Sequence, residues 1–279
     1  MSVPRLRAYL RHLIRYGNAD YTIDGRFKEL QSALEMLVPG EDVSWVCKPD
    51  GATIYSILEM RKRDVFVPDA QILYRWGMEL MAKATNISPA TPNAQAMFRD
   101  GLLICMLAAR GRRLRAMHSL RVGKELIRTE RGYRIELAPG LVKTNKADKF
   151  DLPASLTPHI TYYLEVVRPA LLADTTADAL WISKDHQPLT QNGITSRIKR
   201  LSLRRFGISF GPHRFRHAIA TTAALQMPEM PDMGAEVLGI SSQVAQDHYN
   251  RGGPALAARL HDNVIESLRQ EALNATRRK

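Results

Sequence analysis

Cysteine is nearly absent. Cys47 and Cys105 are the two in 279 residues, too few for a disulfide framework or a four-ligand zinc site. Long apolar runs are missing too. None approaches the roughly 20 residues that cross a bilayer, and the charged opening Met1-Ser2-Val3-Pro4-Arg5-Leu6-Arg7 lacks the apolar stretch of a secretory signal. These absences lead to the expectation of a soluble protein in a reducing cytoplasm with no membrane partner. There is also no internal repeat and no low-complexity tract. Acidic residues are the remaining shortage: 28 Asp and Glu face 40 Lys and Arg, leaving a formal charge of +12, the balance of a protein that meets a polyanion.

That excess is unevenly placed. Residues 1–90 hold 12 basic and 11 acidic side chains, while the rest hold 28 and 17, so the positive field belongs to the second part. An apolar content of 45% over this length is enough for two cores. The pattern is mainly α with a small antiparallel β-sheet, an α+β chain. Leu6, Leu10, Leu13 and Ile14 mark a first helix, and Phe27, Leu30, Leu34 and Leu37 a second that stops at Pro39-Gly40. Helical spacing continues over 52–63 and from Asp69 to about Ala84, with Pro68 at its head. The stretch Ile87-Ser88-Pro89-Ala90-Thr91-Pro92-Asn93 has the composition of a linker, which predicts a helical domain over 1–88 and a second domain over 89–279.

After it, Ala94–Ala109 reads as an apolar helix. The period then shortens to two at Leu126-Ile127-Arg128, Tyr133–Leu137 and Phe150–Leu152, which predicts three strands. Helices return from Thr157, with segments expected over 192–205, 212–225, 242–248 and 254–279.

The chemistry concentrates in His213-Arg214-Phe215-Arg216-His217 and in Tyr249, 33 residues after Arg216. On a helix His213 and Arg216 share a face, and Pro212 fits the helix start, so a proton-transfer group and a permanent cation meet where a phosphate can bind. His213 and His217 also have the i, i+4 spacing of zinc ligands. However, Arg214 stands where a metalloprotease has glutamate, and two arginines repel a cation. Neither metal nor cofactor is expected. A phenol with a pKa near 10 becomes a nucleophile only where cations favour the phenolate. Cations are supplied by Arg110-Gly111-Arg112-Arg113-Leu114-Arg115 and by Lys143-Thr144-Asn145-Lys146 in a predicted turn between strands.

An arginine after a glycine-bearing helix end, a lysine in a β-turn, His-x-x-Arg on a helix, then Leu238-Gly239-Ile240-Ser241-Ser242 and a tyrosine together resemble the tyrosine recombinases, or phage integrase family. The resemblance covers about residues 95–255. It implies an integrase-type catalytic domain behind a helical core-binding domain, and a DNA strand-exchange enzyme that uses a 3′-phosphotyrosyl intermediate without ATP or metal. It implies Arg113, Lys143, His213, Arg216 and Tyr249 as catalytic residues, with His217, Lys146 and His248 in supporting positions. Ile240 departs from the family, which usually has histidine or tryptophan there as a hydrogen-bond donor. Ala116 departs too, standing where an acidic residue is usual.

Arg112, Arg115, Arg197, Lys199, Arg200, Arg204 and Arg205 are the expected DNA contacts. The implied partners are double-stranded DNA, three further recombinase subunits in a homo- or hetero-tetramer, and accessory recombinases or a directionality factor. Two other readings stand beside this one: a DNA-binding accessory protein with the fold but little catalysis, and a type IB topoisomerase acting as a monomer.

Overall fold

The computed structural model describes residues 1–60, 68–87, 91–142, 145–173, 176–227 and 229–248. The chain forms two compact units, Met1–Phe66 and Val67–Lys279.

In the first unit, helix α1 (Val3–Arg15) carries Pro4 in its first turn and buries Leu6, Leu10 and Leu13, the i, i+4, i+7 stripe of its sequence. Ile14, from the same run, faces outward. Helix α2 (Asp20–Leu37) contributes Ile23 and Phe27 to the same core, which Val43, Val46 and Ile54 complete. Of the helix expected over 52–63, residues 61–63 lie outside the described residues, and among the others the helical part is one turn, α3 (Ile54–Ile57). Thr53 caps it, its hydroxyl accepting from the Ser56 N–H at 3.2 Å. Ile54 alone of that turn is buried, while Tyr55 and Ile57 are exposed, so little apolar burial is available to propagate a helix. Leu58 is extended and Met60 has a φ of +49°.

The second unit begins earlier than the linker composition predicts. Helix α4 (Ala70–Ile87) and helix α5 (Pro92–Arg110) pack tightly against each other, so the Pro-rich connection joins two helices of one body. Gly77 and Gly101 make the approach possible: a Cβ on Gly77 would lie 2.6 Å from the Gly101 carbonyl oxygen, and one on Gly101 the same distance from that of Gly77. Proline near a helix start marks a first turn as readily as a linker, and Thr91 caps α5 through its hydroxyl, which accepts from the Ala94 N–H at 3.2 Å.

Helix α5 is buried along almost its whole length, from Ala94 to Ala108, and forms the centre of the unit. A short helix α6 (Leu114–His118) follows. Strands β1 (Leu126–Thr129), β2 (Gly132–Leu137) and β3 (Asp148–Asp151) make an antiparallel sheet in that order, with Leu126 opposite Ile135 and Ile135 opposite Phe150. Helix α7 (Thr157–Tyr162) continues through a π-helical segment, Tyr163–Val167, into α8 (Arg168–Leu172). Then come α9 (Gln191–Phe206), α10 (His213–Gln226), α11 (Met233–Leu238) and α12 (Ser242–His248). The last expected helix, over 254–279, lies outside the described residues. Among the described residues no helix is long and apolar enough to cross a membrane.

Candidate catalytic site

Helix α5 ends at Gly111, a left-handed C-cap with φ +42° whose N–H donates to the Leu107 carbonyl at 2.8 Å. Any side chain there would collide with its neighbours, since a Cβ would sit 2.6 Å from both Ile219 Cδ1 and Leu238 Cδ2. The chain therefore turns sharply into Arg112 and Arg113.

Arg113 opens onto a cleft of about 370 Å³, lined also by Arg112, Leu114, Thr195, Gly211, Pro212, His213 and Arg216. None of the described residues lining it is acidic. Helix α10 supplies His213 and Arg216 from one face, as their i, i+3 spacing requires. Arg216 is 2% exposed, and its Nη1 donates to the carbonyl oxygens of Gly111 and, at 3.4 Å, Leu238. His217 is buried and meets His213 edge to face, with ring centroids 5.0 Å apart and planes at 86°. Three of the five residues implied as catalytic, Arg113, His213 and Arg216, thus converge on one cleft.

The surroundings of His213 favour its neutral form. Loss of water from around the ring comes first, and the charges of Arg216, Arg214 and Arg113 add to it, together lowering the pKa below the ordinary histidine value of 6.5. A neutral imidazole can accept a proton, whereas an imidazolium cannot.

Two arginines expected to meet DNA are occupied inside the protein. Arg112 is buried, with Nε 2.6 Å from Asp148 Oδ2, Nη2 donating to Asp148 Oδ1 at 3.0 Å, and Nη1 donating to the Val237 carbonyl. Its guanidinium also lies 4.2 Å from the centre of the Phe150 ring. Arg197 donates through Nε to Asp100 Oδ2 at 2.6 Å, and Arg99 donates through Nη2 to Asp100 Oδ1 at 2.7 Å. That carboxylate, 3% exposed, pins α9 to α5 between two guanidinium groups. Neither the Arg112–Asp148 nor the Arg197–Asp100 pairing is legible in the sequence, because each joins residues tens of positions apart.

The remaining basic positions of α9, Lys199, Arg200, Arg204 and Arg205, are exposed, with Arg205 paired to Glu79 at 2.9 Å. Arg115 is exposed on α6, and Lys146 is exposed in the β2–β3 connection beside Asn145, whose φ of +52° marks a turn. Lys143 and Tyr249 lie outside the described residues, as does the side chain of His248.

The two departures have structural counterparts. Ile240 packs on an aliphatic cluster of Ile219, Ala220 and Leu238, joined by Val237 and Val244. Its N–H donates to the Ala235 carbonyl at 3.1 Å, closing the C-terminal turn of α11 at Gly239. Ala116 is buried and lines a small cavity with Arg113, Asp148, Arg216 and Leu238, so an apolar wall stands where a carboxylate is usual.

Set beside known proteins, residues 78–235 match the profile of the Phage integrase family. That is more than half of the chain, and the protein belongs to this family, the tyrosine recombinases. It is similar to tyrosine recombinase XerD of Staphylococcus epidermidis strain RP62A, 30% identical over 129 residues that make up 44% of this chain and 40% of that protein. XerD of Staphylococcus saprophyticus is 29% identical over 138 residues, 47% of this chain and 43% of the relative. The match therefore spans less than half the length of these relatives.

Among solved structures, XerH site-specific recombinase bound to palindromic difH substrate in a post-cleavage complex superposes with a TM-score of 0.61 at 18% identity, covering 94% of this chain and 73% of that one. XerA recombinase gives 0.52 at 15%, covering 92% and 97%. At these identities the likeness shows the fold.

Proposed function

We propose that the protein is a site-specific recombinase that cleaves and rejoins double-stranded DNA through a 3′-phosphotyrosyl bond to Tyr249. The observation that carries this reading is the convergence of Arg113, His213 and Arg216 on one cleft free of described carboxylates. The phenol oxygen of Tyr249 attacks the phosphorus, its proton passing to the neutral His213, while the bond to the 5′-oxygen breaks and that oxygen takes a proton from Lys143. The 5′-hydroxyl of a partner strand later reverses these steps. Negative charge grows on the non-bridging oxygens meanwhile, and two guanidinium groups fixed in advance stabilise it by a few kcal/mol each. Because the bond energy is stored in the protein–DNA linkage, the reaction consumes no ATP.

The helical unit Met1–Phe66 is taken as a core-binding-like DNA-binding domain, and residues 67–279 as the catalytic domain. Four subunits, alike or mixed, assemble on DNA with accessory recombinases or a directionality factor, and integrate or excise a mobile element in the cytoplasm at the nucleoid. The test is adduct formation on nicked duplexes bearing inverted repeats from the DNA that flanks the gene. Arg113→Ala and Arg216→Ala should each slow it by about 10²–10³-fold, the scale of removing one transition-state donor. Full-rate adduct formation by both variants would refute the assignment.

A second reading, a DNA-binding accessory protein with feeble catalysis, draws on the apolar setting of Ile240 and Ala116. Ile240→His separates the two. If His217 or His248 already supplies the missing donor, adduct yield changes little; a gain approaching about 10²–10³-fold would favour the accessory reading.

A further inference from the structure

We propose that Arg112 and Asp148 form a positioning pair that sets the phosphate-binding arginine Arg216; this rests on the recombinase reading above. Arg112 stands between Gly111, whose carbonyl oxygen accepts from Arg216, and Arg113, which faces the cleft. At the end of α11 two consecutive carbonyls are taken by two arginines: Val237 by Arg112 and Leu238 by Arg216. Gly111, Arg216, the 237–238 peptide and Arg112 thereby close a ring of contacts that joins the end of α5, helix α10 and the end of α11. Gly239 is part of the fit, because a Cβ there would lie 3.0 Å from the Arg112 Cζ, and its φ of +61° is one that glycine adopts readily.

Asp148 makes a buried cation tolerable at that place. Both of its carboxylate oxygens face Arg112, and it is the carboxylate among the described residues lining the small cavity shared by Arg113, Ala116 and Arg216. Since Ala116 brings no charge, Asp148 on β3 offsets the arginine cluster within that cavity. Removing one partner of such a buried pair leaves an uncompensated charge. The guanidinium carbon of Arg112 also lies over the ring of Phe150, on the same strand as Asp148.

A pair that acts through Arg216 rather than on the phosphate itself has a distinctive signature. Arg112→Met and Asp148→Asn in the full chain should form adducts about 10–100-fold more slowly on an ordinary scissile phosphate, the usual scale for a group that orients a functional one, with DNA affinity unchanged. A duplex with a methylphosphonate at the scissile position lacks the non-bridging negative charge that Arg216 meets, so on it the ratio of variant to wild type should return towards one, with Arg216→Ala as the reference. Amide hydrogen exchange over residues 236–240 should rise in both variants without DNA.

A defect of equal size on the two substrates, or unchanged exchange at 236–240, overturns the proposal. If the wild type forms no adduct on either substrate, the recombinase reading fails instead, and the exchange data still decide whether Arg112 holds the end of α11. Should Arg112→Met not fold, Asp148→Asn, which keeps the shape and hydrogen-bonding reach of the side chain, carries the same comparison.

Discussion

Arg216 donates through Nη1 to the carbonyl oxygen of Gly111. Helix α10 is thereby tied to the turn that presents Arg113, and two cations far apart in sequence reach one cleft. The glycine is needed for this. Gly111→Ala places a methyl group 2.6 Å from Ile219 Cδ1 and from Leu238 Cδ2 on a left-handed backbone. It should lower stability by about 1–3 kcal/mol through overpacking, read as a lower midpoint in urea unfolding with an unchanged slope. An unaltered midpoint would show that the turn does not depend on glycine.

His213 should titrate below 6.5 in the free protein, because loss of water and the charges of Arg216, Arg214 and Arg113 oppose protonation. The sign for stability follows. Well above pH 6.5 the ring is neutral in folded and unfolded chains alike and contributes nothing. As pH falls through 6.5 the unfolded chain takes up a proton that the folded one resists, so stability declines until the folded-state value is passed. In a ring-proton NMR titration, Arg216→Ala and Arg113→Ala should each raise the midpoint. Midpoints that stay fixed in both variants would remove the arginines as a cause.

Much of this site is legible in the sequence because its parts are local. His213 and Arg216 lie one turn apart, Pro212 precedes them, and the arginine cluster follows a long apolar helix, so spacing alone places them on faces and at ends. The strands β1–β3 are legible for the same reason, their alternation being a property of each segment. What escapes is the long-range pairing. Nothing in the neighbourhood of Arg112 announces the partner that separates it from Arg113: both border the cleft, yet Arg112 is buried and paired with Asp148, 36 positions on. The boundary between the units escapes too, since Pro89 and Pro92 read as a linker, whereas the close approach of Gly77 to Gly101 that holds α4 to α5 appears only when both helices are present.

Helix α9 separates cations that face solvent from one that does not. Replacing Arg200 or Arg204 with Ala should reduce the slope of log affinity against log salt by about 0.9 for each phosphate that is no longer neutralised. Arg197→Ala should leave that slope alone and lower stability instead, because its guanidinium is spent on the buried Asp100. A reversed pattern would place Arg197 on DNA.

The proposed reaction turns on a phosphate held by Arg113, His213 and Arg216 and attacked by Tyr249. Chemical mapping of the attachment point tests it at first hand: trap the protein on a pool of nicked duplexes with randomised flanks, digest the adduct, and locate the modified residue by mass spectrometry. The expected result is a nucleotide joined through its 3′-phosphate to Tyr249, and no adduct from Tyr249→Phe. Attachment to another residue, linkage through a 5′-phosphate, or an adduct that survives Tyr249→Phe would contradict it.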